Sequence, residues 1–150
     1  MLSSAPIFRI QVEVAEPLML GPTPYGERRI VQILGGRIEG PRLSGRILPG
    51  GADWQIIRSD GVADLEARYT IESDAGARIY VQSGGMRHGP REVLDAIARG
   101  EQVDPGRYYF RTVLRFETSA PAAAWLNRII ALGRGARDKL AVKLDVYEVL

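Results

Sequence analysis

Four stretches of this chain alternate apolar and polar residues, and that pattern most constrains what it can become. Phe8, Ile10, Val12 and Val14 alternate with Arg9, Gln11 and Glu13. Ala63, Leu65, Ala67, Tyr69 and Ile71 alternate with Asp64, Glu66, Arg68 and Thr70. Tyr108, Phe110, Thr112, Leu114 and Phe116 alternate with Tyr109, Arg111, Val113 and Arg115, and Leu140, Val142, Leu144 and Val146 with Ala141, Lys143 and Asp145. A period of two presents one face to a core and the other to water, which is the signature of a strand. Pairs such as Gly21-Pro22, Gly40-Pro41, Asp60-Gly61, Gly89-Pro90 and Pro105-Gly106 punctuate the chain as turn signals.

Further strands are expected near Arg29–Ile38, Arg42–Leu48, Asp53–Arg58 and Arg78–Ser83, while segment 20–28 reads as a long glycine-rich loop. Gly35-Gly36 inside a strand reads as a bulge or a sharp bend. Pro90 opens a helix whose apolar stripe is Val93, Leu94 and Ile97 and which Gly100 stops. A shorter helical piece is expected at Ala122–Ile130, after Pro121. In 150 residues these elements predict one mainly-β domain: a closed antiparallel barrel of about eight strands with one or two short helices.

Composition narrows the chemistry. Cysteine is absent, which removes disulfides, thiolate nucleophiles and zinc–thiolate or iron–sulfur sites, and fits a reducing, cytoplasmic setting. The single histidine, His88, excludes any site needing two imidazoles, and no calcium-loop pattern occurs, so neither metal nor cofactor is expected. No apolar run approaches the ~20 residues of a membrane helix, and the first residues lack the layout of a signal peptide, so no membrane association is expected. The net charge is +2, with 18 arginines and two lysines. Their signs alternate with acids instead of clustering, which argues against nucleic acid. Arginine does suit a site for carboxylate or phosphate.

The segments GGRIEGPRLSGRILPGGADW (35–54), YYFRTVLRFET (108–118), APAAAWLNRIIALGRG (120–135) and KLDVYEVL (143–150) together resemble a bacterial domain-of-unknown-function family, number 3237, also grouped as uncharacterised protein family 0311. The resemblance covers nearly the whole chain. It implies a small, lipocalin-like closed β-barrel, cytoplasmic and able to form a homodimer. It carries no activity over.

Candidate site residues come from the unusual segments. Asp53 and Asp60 would be two acids at a barrel mouth, with Trp54 an apolar wall that raises a carboxyl pKa. The plainer reading makes Asp60-Gly61 a hairpin turn, Asp53 a turn cap and Trp54 a core residue. His88, in a loop entering a helix, would be a general base or an anion contact; the plainer reading leaves it exposed and idle. Arg111, if it faces inward, needs a partner such as Glu117 or a ligand carboxylate, although the opposite face of its strand is the better core by pattern. Tyr69, Tyr108 and Trp125 supply rings that would line a pocket.

Three functions remain open at this level. One is a barrel that binds a small, partly apolar, anionic molecule. Another is a cofactor-independent lyase, isomerase or cyclase in the same cavity, with Asp53 or Asp60 as base, Tyr69 or His88 as acid and Arg111 steadying a developing enolate. The third is a structural or interaction protein whose barrel is filled by its own side chains.

Overall fold

The computed structural model describes residues 1–150. Its strands are β1 (Phe8–Val14), β2 (Leu18–Thr23), β3 (Gly26–Glu39), β4 (Gly45–Ile47), β5 (Ala52–Ile57), β6 (Ala63–Ser73), β7 (Arg78–His88), β8 (Tyr109–Thr118), β9 (Ala131–Arg137) and β10 (Ala141–Glu148). One α-helix, α1 (Arg91–Ala98), follows β7, and a 3-10 helix spans Pro121–Arg128. All strand pairings are antiparallel.

The sheet closes on itself in the order β1, β10, β9, β8, β7, β6, then β4 and β5 end to end, then β3, which pairs back to β1. That makes eight staves, as the alternating runs predict. Two strands lie beyond the sequence expectation. Segment 20–28 is no loop: β2 pairs with Gly26–Ile30 of β3, on the edge whose other half pairs with β1. Leu18, Met19 and Leu20 of β2 are all exposed, so no buried face marks this strand in the sequence. The second is β9, where Gly133 and Gly135 occupy the inward positions and leave no apolar alternation to read.

Elsewhere the alternation is obeyed, except that Leu140 falls just before β10 and is exposed. Phe8, Ile10, Val12 and Val14 are buried, as are Tyr108, Phe110, Thr112, Leu114 and Phe116. They join Ile71, Ile79, Val81 and Val146 in a single core inside the barrel. The Gly35-Gly36 pair is a bulge. Glu13 faces Gly35 but Val14 faces Ile33, so Leu34 is extra and β3 switches phase from Val31 and Ile33 to Ile38. The 3-10 helix seals one end of the barrel with Ala123 and Leu126. At the other end α1 buries Val93 and Ile97, and Leu94 packs against the core less completely. No helix is long and apolar enough to cross a membrane.

Candidate functional site

The inward positions of four strands meet at the α1 end of the barrel. In β7 the inward phase runs through Ile79, Val81 and Ser83 to Arg87. In β9 it runs from Ala131 through two glycines to Arg137. Strand β5 turns Gln55 inward, and Asp53, two residues earlier, shares that face. Strand β3 supplies Arg29.

These side chains form one polar cluster in an otherwise apolar tube. Arg29 Nε donates to Gln55 Oε1 at 2.7 Å, and Gln55 Nε2 donates to Asp53 Oδ2 at 2.8 Å. The Glu66 backbone N–H donates to Asp53 Oδ1 at 2.9 Å. Arg87 lies with its guanidinium 5.6 Å from the centroid of the Phe110 ring. The backbone N–H of Arg137 donates to the Tyr108 hydroxyl at 2.8 Å, which fixes the end of β9. Arg87 and Arg137 are each only 9% exposed, yet neither takes part in any ion pair or side-chain hydrogen bond of the protein. Three guanidinium groups thus share one buried carboxyl.

The electrostatics follow from that imbalance. Burial pushes the Arg87 guanidinium down to about 10, helped by the like charges of Arg137 and Arg29 and opposed by Asp53. Burial and then Arg29 lower Arg137, and burial lowers Arg29. Asp53 is raised above the ordinary carboxylate value because its carboxyl is desolvated, against the opposing pull of Gln55, the Glu66 amide, Arg87 and Arg137. A folded-state value above the unfolded one means that Asp53 favours folding below the ordinary carboxylate pKa. That contribution is lost as pH rises through the raised value. Stability measured by denaturant titration is therefore expected to fall across that window, and Asp53→Asn to flatten the slope there. An unchanged slope in the variant would show that Asp53 is not the group responsible.

A cavity of about 50 Å³ lies below this cluster, walled by residues such as Val31, Ile33, Leu65, Phe110 and Leu144, with Asp53, Tyr69, Ser83 and Thr112 as polar members. Above it a cleft of about 460 Å³ opens between the β2–β3 extension, the turn at Gly61, α1 and Lys139. Gln55, Arg87 and Arg137 line both spaces and form the neck between them. Glu16, Glu27 and Asp95 outnumber Arg91 and Lys139 around the cleft, so the surplus positive charge sits at the neck.

Of the sequence candidates, Asp53 and Tyr69 line the cavity, and Tyr108 stands behind it through its bond to Arg137. The others lie outside. Trp54 follows Asp53 in the strand, so it points out of the barrel and is 46% exposed, not core. Asp60 is a turn residue, accepting from the Val62 N–H and paired with Arg58, which holds its carboxyl below the ordinary range. The His88 ring stacks on outward-facing Tyr109 with centroids 4.9 Å apart. Arg111 faces outward because Phe110 and Thr112 face inward; it donates to the Phe110 carbonyl at 2.9 Å and lies over Tyr109. Glu117 shares that outer face, opposite Tyr80 in register. Trp125 belongs to the 3-10 helix at the sealed end, with the Arg42 guanidinium 3.9 Å from its ring centroid. Sequence reasoning missed Arg29, Gln55, Arg87 and Arg137. Extending the β7 alternation past Ser83 would have found Arg87.

Comparison with known proteins gives the chain its family. The family model described as protein of unknown function (DUF3237) matches residues 2–149. A UPF0311 protein of Rhodopseudomonas palustris is 44% identical over 144 residues, covering 96% of this chain and 94% of the relative. The crystal structure of a conserved protein of unknown function from the same organism superposes with a TM-score of 0.92 at 43% identity, covering 100% of this chain and 98% of the other. A crystal structure described as that of an enzyme from Penicillium herquei shares the fold, with a TM-score of 0.71 at 19% identity over 99% of this chain and 97% of the other. The chain belongs to the DUF3237 family.

Proposed function

We propose that this DUF3237 protein binds a small, partly apolar anion, held by its charge at the neck of the barrel with its body in the cavity. One observation carries the reading: Arg87 and Arg137 are buried at the neck and no carboxylate of the chain pairs with either. A buried cation with no direct ion pair is costly, and a ligand carboxylate or phosphate that meets a guanidinium edge-on relieves it. The aliphatic wall below suits the short apolar body that a cavity of about 50 Å³ admits. In this reading the barrel works in the cytoplasm, where a cysteine-free chain is at home.

A second reading is favoured by Asp53, whose desolvated carboxyl holds its proton above the ordinary range beside the neck arginines. Such a group can take and return a proton on a bound substrate whose developing negative charge the guanidinium groups stabilise. That is the chemistry of a cofactor-independent isomerase, lyase or cyclase.

Native mass spectrometry of the purified protein, followed by thermal melts with a panel of carboxylates and phosphate esters, tests both. A ligand at a hundred times its Kd should raise stability by about 2.7 kcal/mol, or about 8 °C for a chain of this size. No retained molecule, and no shift with any anion, would overturn the binding reading. Turnover of a ligand so found, lost in Asp53→Asn while binding persists, would decide for catalysis.

A further inference from the structure

Below the neck, two polar atoms have no use within the protein. The Tyr69 hydroxyl and Thr112 Oγ1 are buried and make no hydrogen bond with any protein group. Both residues line the same cavity and are at most 5% exposed. Phenylalanine and valine would fill the same two positions without the desolvation that an unpaired hydroxyl suffers. The surroundings of Thr112 also keep its hydroxyl unpartnered. Its register neighbours on both sides are glycines, Gly85 on β7 and Gly133 on β9, so neither directly opposed residue offers it a side chain. Tyr69 lies farther into the barrel than Arg87. It pairs with Val81, whereas Arg87 pairs with Ala63 at the start of β6. Neither hydroxyl belongs to the chain that links Arg29, Gln55 and Asp53.

We infer that the molecule this barrel accepts carries, farther into the barrel than its anionic group, a hydroxyl or carbonyl oxygen that hydrogen-bonds to Tyr69 and Thr112. The inference rests on the anion-binding reading and narrows it to one ligand class: an acid with a second oxygen function across an apolar spacer. Tyr69 and Thr112 are then the residues that set specificity, and Arg87 and Arg137 supply the general affinity for anions. A site built to pair an oxygen discriminates against the analogue that lacks it, because the protein hydroxyls would otherwise be left unpaired.

Calorimetric titration of the full chain with straight-chain carboxylates of increasing length, each beside its ω-hydroxy counterpart, tests this. The length series removes any dependence on knowing the span between the neck and the floor. At the length that reaches, the hydroxy acid should bind about tenfold more tightly than the plain acid. Tyr69→Phe and Thr112→Val should each reduce that preference, weakening the hydroxy acids more than the plain ones. If plain acids bind as well as every hydroxy counterpart, the inference fails while anion binding stands. It fails equally if the preference survives both substitutions. If no acid of either kind binds, the anion-binding reading falls and takes the inference with it.

Discussion

Arg87→Met is expected to weaken anion binding about a hundredfold and, at the same time, to make the protein more stable. Arg87 sits at the end of β7 with its charge buried, its nearest named partner the face of Phe110, and two other guanidinium groups raising the local potential. Methionine keeps much of the apolar stem that packs there and removes the charge. Replacing a buried ion with an apolar side chain of similar shape is commonly neutral or stabilising, and here no salt bridge is broken. The expected gain is about 2 kcal/mol, or about 5 °C in melting temperature for this size of domain. Loss of a desolvated, charge-assisted contact should weaken anion binding about a hundredfold. Arg137→Met is expected to move both quantities in the same directions. Thermal melts and titration of the two variants check this. A variant that melts lower and binds as before would show that Arg87 serves the fold and not a ligand.

Gly36→Ala is expected to open the barrel. The β1–β3 pairing closes the cylinder, and Gly36 faces Val12 across that seam. A β-carbon at Gly36 would land on the Gln11 carbonyl oxygen, a backbone atom that cannot swing away as a side-chain tip could. The backbone there has φ +150°, which alanine adopts only with strain. Strain and overlap together should cost about 4 kcal/mol, which lowers the melting temperature by about 12 °C. Gly50→Ala is the matched control: φ is +109° but nothing lies within 4 Å of the added carbon, so only the strain is felt. Hydrogen exchange should show the β1 and β3 amides opening first in Gly36→Ala. Equal melting temperatures for the two variants would mean that the seam tolerates the extra carbon.

The strands that sequence makes legible are those whose inward face is apolar. Strands β1, β6 and β8 carry a readable phase because Phe, Ile, Leu, Val and Tyr occupy alternate positions and the barrel interior buries them. The same rule decides Arg111 and Trp54 once the phase is known, since each stands one residue from an inward neighbour. Legibility fails where the inward face is not apolar. Strand β9 turns two glycines and an arginine inward, and β7 ends its inward series on Arg87. Asp53 is found from its unusual segment and Gln55 follows two residues on in the same strand, but Arg29, which bonds Gln55, comes from β3 and the Glu66 amide comes from β6. No local pattern announces such a meeting.

The order of amino acids by itself determines that this chain forms strands, roughly how many, and which face is buried in those with an apolar side, because alternation and turn residues act over a few positions. Which polar residues gather at one end of the cylinder is decided only when β1 meets β3 and the sheet closes. Closure sets the register between strands far apart in sequence. That register places Arg87 and Arg137 together at the neck and leaves Tyr69 and Thr112 on the wall of one cavity, without partners.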